Sequence, residues 1–121
     1  MKLLNRSAIT LLAKAPFAAW IASLPADEAH QAEHYTLEML RKEGNIYLID
    51  EVDEESDFTR ALQSSWKKMF ENELAAWDEF ADNWPTPLSF ELFTDWFEVC
   101  YQIMAFDMSD DALLVASLDD L

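Results

Sequence analysis

Asn45-Ile46-Tyr47-Leu48-Ile49-Asp50 reads as a strand, and the acidic run Glu51-Val52-Asp53-Glu54-Glu55-Ser56-Asp57 after it reads as a loop opening into a helix. The first segment is rich in β-branched and aromatic residues, which suit a pleated, half-buried surface. Carboxylates in the second meet the positive end of a helix dipole. From there Phe58, Leu62, Trp66, Met69, Phe70, Leu74, Trp77 and Phe80 recur at steps of three and four, while Gln63, Lys67, Glu71, Asn72, Asp78 and Asp82 fill the other face. That pattern predicts one amphipathic helix of about 25 residues, stopped at Trp84-Pro85.

Working towards the N-terminus, Thr36 reads as the N-cap of a helix over Leu37–Glu43. Arg41 and Lys42 suit its last turn, and Gly44 is expected as a left-handed stop. Ser7–Ala13 reads as a strand. Pro16 suits a first helical turn, with Phe17, Trp20, Ile21 and Leu24 on one stripe that Pro25 ends. Asp27–Tyr35 reads as helix or loop. Towards the C-terminus, Thr86 as N-cap and Pro87 at the first helical position predict a helix with Phe90, Phe93, Trp96 and Phe97 inward. Val99–Phe106 fits either helix or strand; a third strand would support the other two, so strand is the expectation. Ser109 with Asp110 and Asp111 predicts a short final helix to about Leu118, within an appended tail over 108–121. The sum is a single acidic α+β domain spanning 1–121, a small two- or three-stranded sheet packed against several amphipathic helices.

Composition narrows the function. The 121 residues are 51% hydrophobic and carry a net charge of −16, unlike a disordered acidic tail. The charge argues against direct nucleic-acid binding, which relies on Lys and Arg. A single glycine excludes phosphate loops, dinucleotide fingerprints and nucleophile elbows, and no cofactor is expected. Cys100 has no partner cysteine and lies in an apolar stretch, which points to a buried thiol in a reducing cytoplasm. Ala8–Ala13 is too short for a signal core and is followed by Lys14 and Pro16, and no membrane span is expected. Residues 1–47 balance five acids against five bases, so residues 48–121, with 19 acids against Arg60, Lys67 and Lys68, hold all the net charge.

Asn5-Arg6-Ser7-x-Ile9, Pro16-Phe17-x-x-Trp20-Ile21-x-x-Leu24-Pro25, Tyr47-Leu48-Ile49-Asp50-Glu51, Trp66 with Met69-Phe70-Glu71-x-Glu73-Leu74-x-x-Trp77, Trp84-Pro85 and Phe93-x-x-Trp96-Phe97 form one pattern. It resembles a family of small acidic bacterial proteins of uncharacterised function, over about residues 5 to 107. The resemblance implies a cytosolic bacterial α+β domain. It implies no activity and no catalytic residues, and Asp27–Tyr35 and the tail after Asp107 depart from it.

Three constellations carry chemistry. His30-x-x-Glu33-His34 would place two imidazoles on one helix face for Zn²⁺, with Glu33 as general base and Asp110 or Asp111 as a third ligand. A solvated connector is the plainer reading of the same five residues. Asp50, Glu51, Asp53, Glu54, Glu55 and Asp57 pack six carboxylates into eight residues, without the glycine or spacing of an EF-hand. The acids Asp78/Glu79/Asp82 and Glu91/Asp95/Glu98 read as solvated helix faces. Twelve of the sixteen aromatics lie between 58 and 106, where the acids are also concentrated; most are expected as core, with an exposed Trp or Tyr anchor inside an acidic rim as the functional alternative.

The leading expectation is a non-enzymatic interaction or regulatory protein docking on a basic protein partner through Asp50, Glu51, Asp53, Glu54, Glu55, Asp57, Asp78 and Asp82. One form of it is nucleic-acid mimicry, inhibiting a DNA- or RNA-binding protein. The rival is a small zinc-dependent hydrolase using His30 and His34. Oligomeric state stays open, a dimer included.

Overall fold

Two antiparallel sheets carry the strands, and the helices lie between strands in the chain. The computed structural model describes residues 1–25 and 35–119. In chain order the elements are β1 (Lys2–Leu4), β2 (Arg6–Ala13), α1 (Ala15–Ser23), α2 (Leu37–Lys42), β3 (Asn45–Asp50), α3 (Glu55–Ala75), α4 (Phe90–Trp96), β4 (Phe97–Gln102) and β5 (Ala105–Asp107). The larger sheet has the order β3-β2-β4, and β1 pairs with β5 alone. The architecture is α+β, as the sequence pattern predicts.

Strand β2 is central, hydrogen-bonded to β3 along one side and to β4 along the other. Its odd residues, Ser7, Ile9, Leu11 and Ala13, are all buried. They share the inner face with Tyr47 and Ile49 of β3 and Phe97 and Val99 of β4, which pack with α1, α2, α3 and α4 into one core. The register Leu4↔Ala105, then Ala8↔Gln102, leaves three residues between the pairs on one side and two on the other. β1 and β2 are thus one strand interrupted by an extra residue, a bulge that redirects the edge.

The core is built from rings. Phe70 of α3 meets Phe93, Trp96 and Phe97 with centroids 5.6–5.7 Å apart. Phe17 reaches Phe97 at 4.7 Å and Trp20 at 5.8 Å. Thr36 caps α2 by accepting from the Met39 N–H at 3.2 Å, as the sequence predicts.

Several expectations need correction. Gly44 has no positive φ, and Glu43 is the C-cap of α2. Glycine is required there by proximity, since a Cβ would stand 2.8 Å from the Leu11 carbonyl oxygen and 3.1 Å from Leu12 Cδ2. Gly44→Ala must push apart the end of the β2–β3 ladder. We expect a loss of about 1–3 kcal/mol, read as a lower urea midpoint with an unchanged slope.

Helix α3 ends at Ala75, short of the predicted stop at Trp84-Pro85. Asp78 is the reason. Its Oδ2 accepts from the Asn83 N–H at 2.7 Å and its carbonyl accepts from Trp84 Nε1 at 2.9 Å, so residues 78–84 fold into a turn that competes with the helix. Ala81 takes φ 61° within it, and Phe80, expected in the core, is exposed. Consequently Asp78, Glu79 and Asp82 do not form a helix face.

The fourth helix starts at Phe90 with Ser89 as its cap, accepting from the Leu92 N–H at 3.0 Å, and not at Pro87 behind Thr86. The Thr86–Pro87 bond is cis. Ser89 has the same capping chemistry as Thr86 and an acid, Glu91, in the turn it caps. Residues 109–118 are not helical. A segment that short holds a helix only by packing, and its large apolar residues are exposed. Cys100 is half-buried on the outer side of the edge strand β4, not fully buried.

Candidate functional site

The acids after β3 lie where the sequence predicts them, on an exposed turn into α3. Asp50, Glu51, Asp53, Glu54 and Glu55 are all exposed, and among the described residues none forms an ion pair. Asp57 has a structural task. Its Oδ2 accepts from the N–H groups of Asp53 and Glu54, each at 3.2 Å, and its Oδ1 lies 2.5 Å from Arg60. These backbone donors, then the Arg60 guanidinium, hold its carboxyl below the usual range.

Asp50, Glu51 and Asp57 line one depression with Leu48, Ile49, Ala61 and Ser64. It runs between β3 and the first turns of α3. Asp78 and Asp82 line a different one, with Leu24, Phe80 and Asn83, and the two share no residue. Of the eight acids, three therefore line the first depression, two line the second, and Asp53, Glu54 and Glu55 line neither.

The bare side of the larger sheet adds an apolar component. Ile46 and Leu48 are 68% and 51% exposed. They share the outer face of β3 with Asp50, because side chains alternate along a strand. β3 is also a sheet edge, and among the described residues no backbone hydrogen bond joins it to anything but β2. A second apolar region comprises Leu3, Phe106 and Met108, with Leu113 to Leu118 beyond, where Leu114 is 96% exposed. The expected aromatic anchors are otherwise placed. All five tryptophans are largely covered, and Phe70, Phe93 and Phe97 are core.

Sequence reasoning missed one polar cluster. Glu73, only 8% exposed, sits on the buried face of α3. Tyr47 donates its hydroxyl to Glu73 Oε2, Asn45 Nδ2 donates to the same oxygen at 2.7 Å, and Asn72 Nδ2 donates to the Tyr47 oxygen at 3.0 Å. Burial above all, reinforced by Glu73, holds the Tyr47 phenol well above its usual range, so it remains a protonated donor. The signal was available: Glu73 stands four residues after Met69 and four before Trp77, a carboxylate on the apolar stripe.

His30, Glu33 and His34 lie outside the described residues. Asp110 and Asp111, the expected third ligand, are in the exposed tail, where Asp111 N–H donates to Ser109 Oγ at 3.0 Å. Among the described residues no group of three or more His, Cys, Asp or Glu is placed to hold a metal ion. No described helix is long and apolar enough to cross a membrane. Neither a protein-family model, nor a curated protein, nor a solved structure matches the chain.

Proposed function

We propose that this chain is a non-enzymatic acidic interaction protein that docks on a basic protein partner at β3. The observation that carries the reading is the exposure of Ile46 and Leu48 on an edge strand whose flank is lined by Asp50, Glu51 and Asp57. An edge strand offers unpaired backbone groups to an extended segment, and side chains at alternate positions then meet the two flanks. Basic residues on such a segment would reach the carboxylates while apolar ones cover Ile46 and Leu48. The net charge of −16 steers a cationic partner at long range, which makes capture salt-dependent. The unpaired thiol Cys100 supports a reducing cytoplasm as the place of action. Duplex mimicry asks for a continuous row of charge, and the division of the lining acids between two depressions favours a local docking site instead.

The test compares the tagged chain with two variants in capture from source-organism lysate, eluted by a salt ladder. One variant carries Asp50→Asn, Glu51→Gln, Asp53→Asn and Glu54→Gln; the other carries Leu48→Ser. The reading expects one basic protein held by the native chain, with affinity lowered about tenfold or more by the neutralised set, and release at lower salt for Leu48→Ser. Equal retention by all three chains, or no captured protein, overturns it.

A further inference from the structure

The Glu73 carboxylate borders a cavity of about 240 Å³ whose walls include Leu11, Phe17, Leu40 and Trp77, with Glu43 also contributing. Both hydrogen bonds to this carboxylate fall on Oε2, from Tyr47 and Asn45. Oε1 has no hydrogen-bond partner among the described residues, yet no buried polar side-chain atom is left sealed and unpaired. Oε1 is therefore the oxygen Glu73 presents to the space it borders. Among the described residues no Lys or Arg forms an ion pair with Glu73 or Glu43.

A carboxylate that is nine-tenths buried, oriented by two donors and lacking a counter-ion is an uncommon arrangement. Desolvating a charge is unfavourable unless a partner offsets it. The Tyr47 and Asn45 donors stabilise the anion on one side only. An arriving cation would complete the set on the other.

We propose that this cavity binds a small organic cation, a primary ammonium on a short apolar chain. The ammonium donates to Glu73 Oε1, Leu11, Phe17, Leu40 and Trp77 surround the chain, and Glu43 adds attraction. Ligand cavities for drug-sized molecules run to roughly 300–1,000 Å³, so this volume suits a smaller body of about four to six carbons. Among the described residues no group of three or more His, Cys, Asp or Glu is placed to hold a metal ion, and the cavity offers only Glu73 and Glu43 as charged side chains.

The experiment uses the full chain and the probe n-pentylammonium, with 1-pentanol and methylammonium as matched controls at constant ionic strength. Amide and indole chemical shifts are followed in ¹H–¹⁵N spectra. Saturable shifts at Leu40, Gly44 and the Trp77 indole are expected, with affinity reduced about tenfold or more for 1-pentanol and for Glu73→Gln. Gln at this position keeps the acceptor for Tyr47 and Asn45 and removes the charge. Binding unchanged by Glu73→Gln, or equal binding of 1-pentanol, overturns the proposal. If Glu73→Gln does not fold, the native spectra decide. Shifts confined to the cavity and weaker with methylammonium support the site, whereas shifts spread over Asp50–Asp57 and equal for both ammoniums overturn it.

Discussion

Replacing Phe70 by alanine is expected to destabilise the fold by about 3–5 kcal/mol, the usual range for deleting a buried aromatic ring. Phe70 is fully buried and meets Phe93, Trp96 and Phe97. Those three rings span the end of α4 and the start of β4, so Phe70 joins the long helix to both. Their edge and tilted geometries add to simple burial. Neighbours fixed in a helix and a strand collapse poorly into the void, which places the loss toward the upper end. A domain of this size has about 5–15 kcal/mol of total stability, so the variant retains little of it. Urea unfolding followed by tryptophan fluorescence measures the loss. Phe80→Ala is the matched control, since Phe80 sits on the surface outside the helix, and it should change stability by about 0.5 kcal/mol or less. A Phe70→Ala loss below about 1 kcal/mol would show that the ring cluster can repack, contrary to close packing of the core.

Much of the fold was legible because the chain states it locally. The strand at Asn45–Asp50, the Thr36 cap and the stripe from Phe58 to Leu74 each need only neighbouring residues to be read. What was not legible depends on contacts distant in sequence. Gly44 looks like a helix stop until the Leu11 carbonyl is placed beside it. Trp77 and Phe80 keep the helical period past Ala75, and only the bonds from Asp78 to Asn83 and Trp84 reveal that the chain has turned. β1 is too short to announce itself, and its pairing with β5 joins residues at opposite ends of the chain.

The candidate site divides the same way. The acidic run after β3 is plain in the sequence, and it is exposed as expected. The apolar half of that surface was hidden, because alternation along a strand does not say which face the helices cover, and they leave the Ile46 and Leu48 face bare. Glu73 was hidden for the opposite reason. An acid in an acidic chain draws no notice, and its burial depends on Tyr47 and Asn45, a strand away.

Ser7→Ala should be the most damaging loss of a single oxygen atom in the chain, at about 2–4 kcal/mol, because it strands two backbone groups at once. Ser7 is fully buried. Its hydroxyl donates to the Ile103 carbonyl at 2.8 Å and accepts from the buried Val52 N–H at 3.0 Å. The first bond spans the bulge where β1 gives way to β2, and the second anchors the chain leaving β3. Without the hydroxyl, Val52 N–H has no other acceptor among the described residues. The Val52 side chain is core, so the turn cannot simply swing out to solvent. Urea unfolding should show the loss, and hydrogen exchange should locate it as faster exchange at the Val52 amide. Ser7→Thr retains the hydroxyl and should keep that amide protected if the added methyl is accommodated. Unchanged Val52 exchange in Ser7→Ala, with a stability loss below about 0.5 kcal/mol, would mean the bond is dispensable. The consequence reaches the proposed docking surface, because Val52 lies between Glu51 and Asp53. If Ser7 fixes that turn, Ser7→Ala should weaken capture of a basic partner even at temperatures where the variant is folded, while Phe80→Ala leaves capture unchanged.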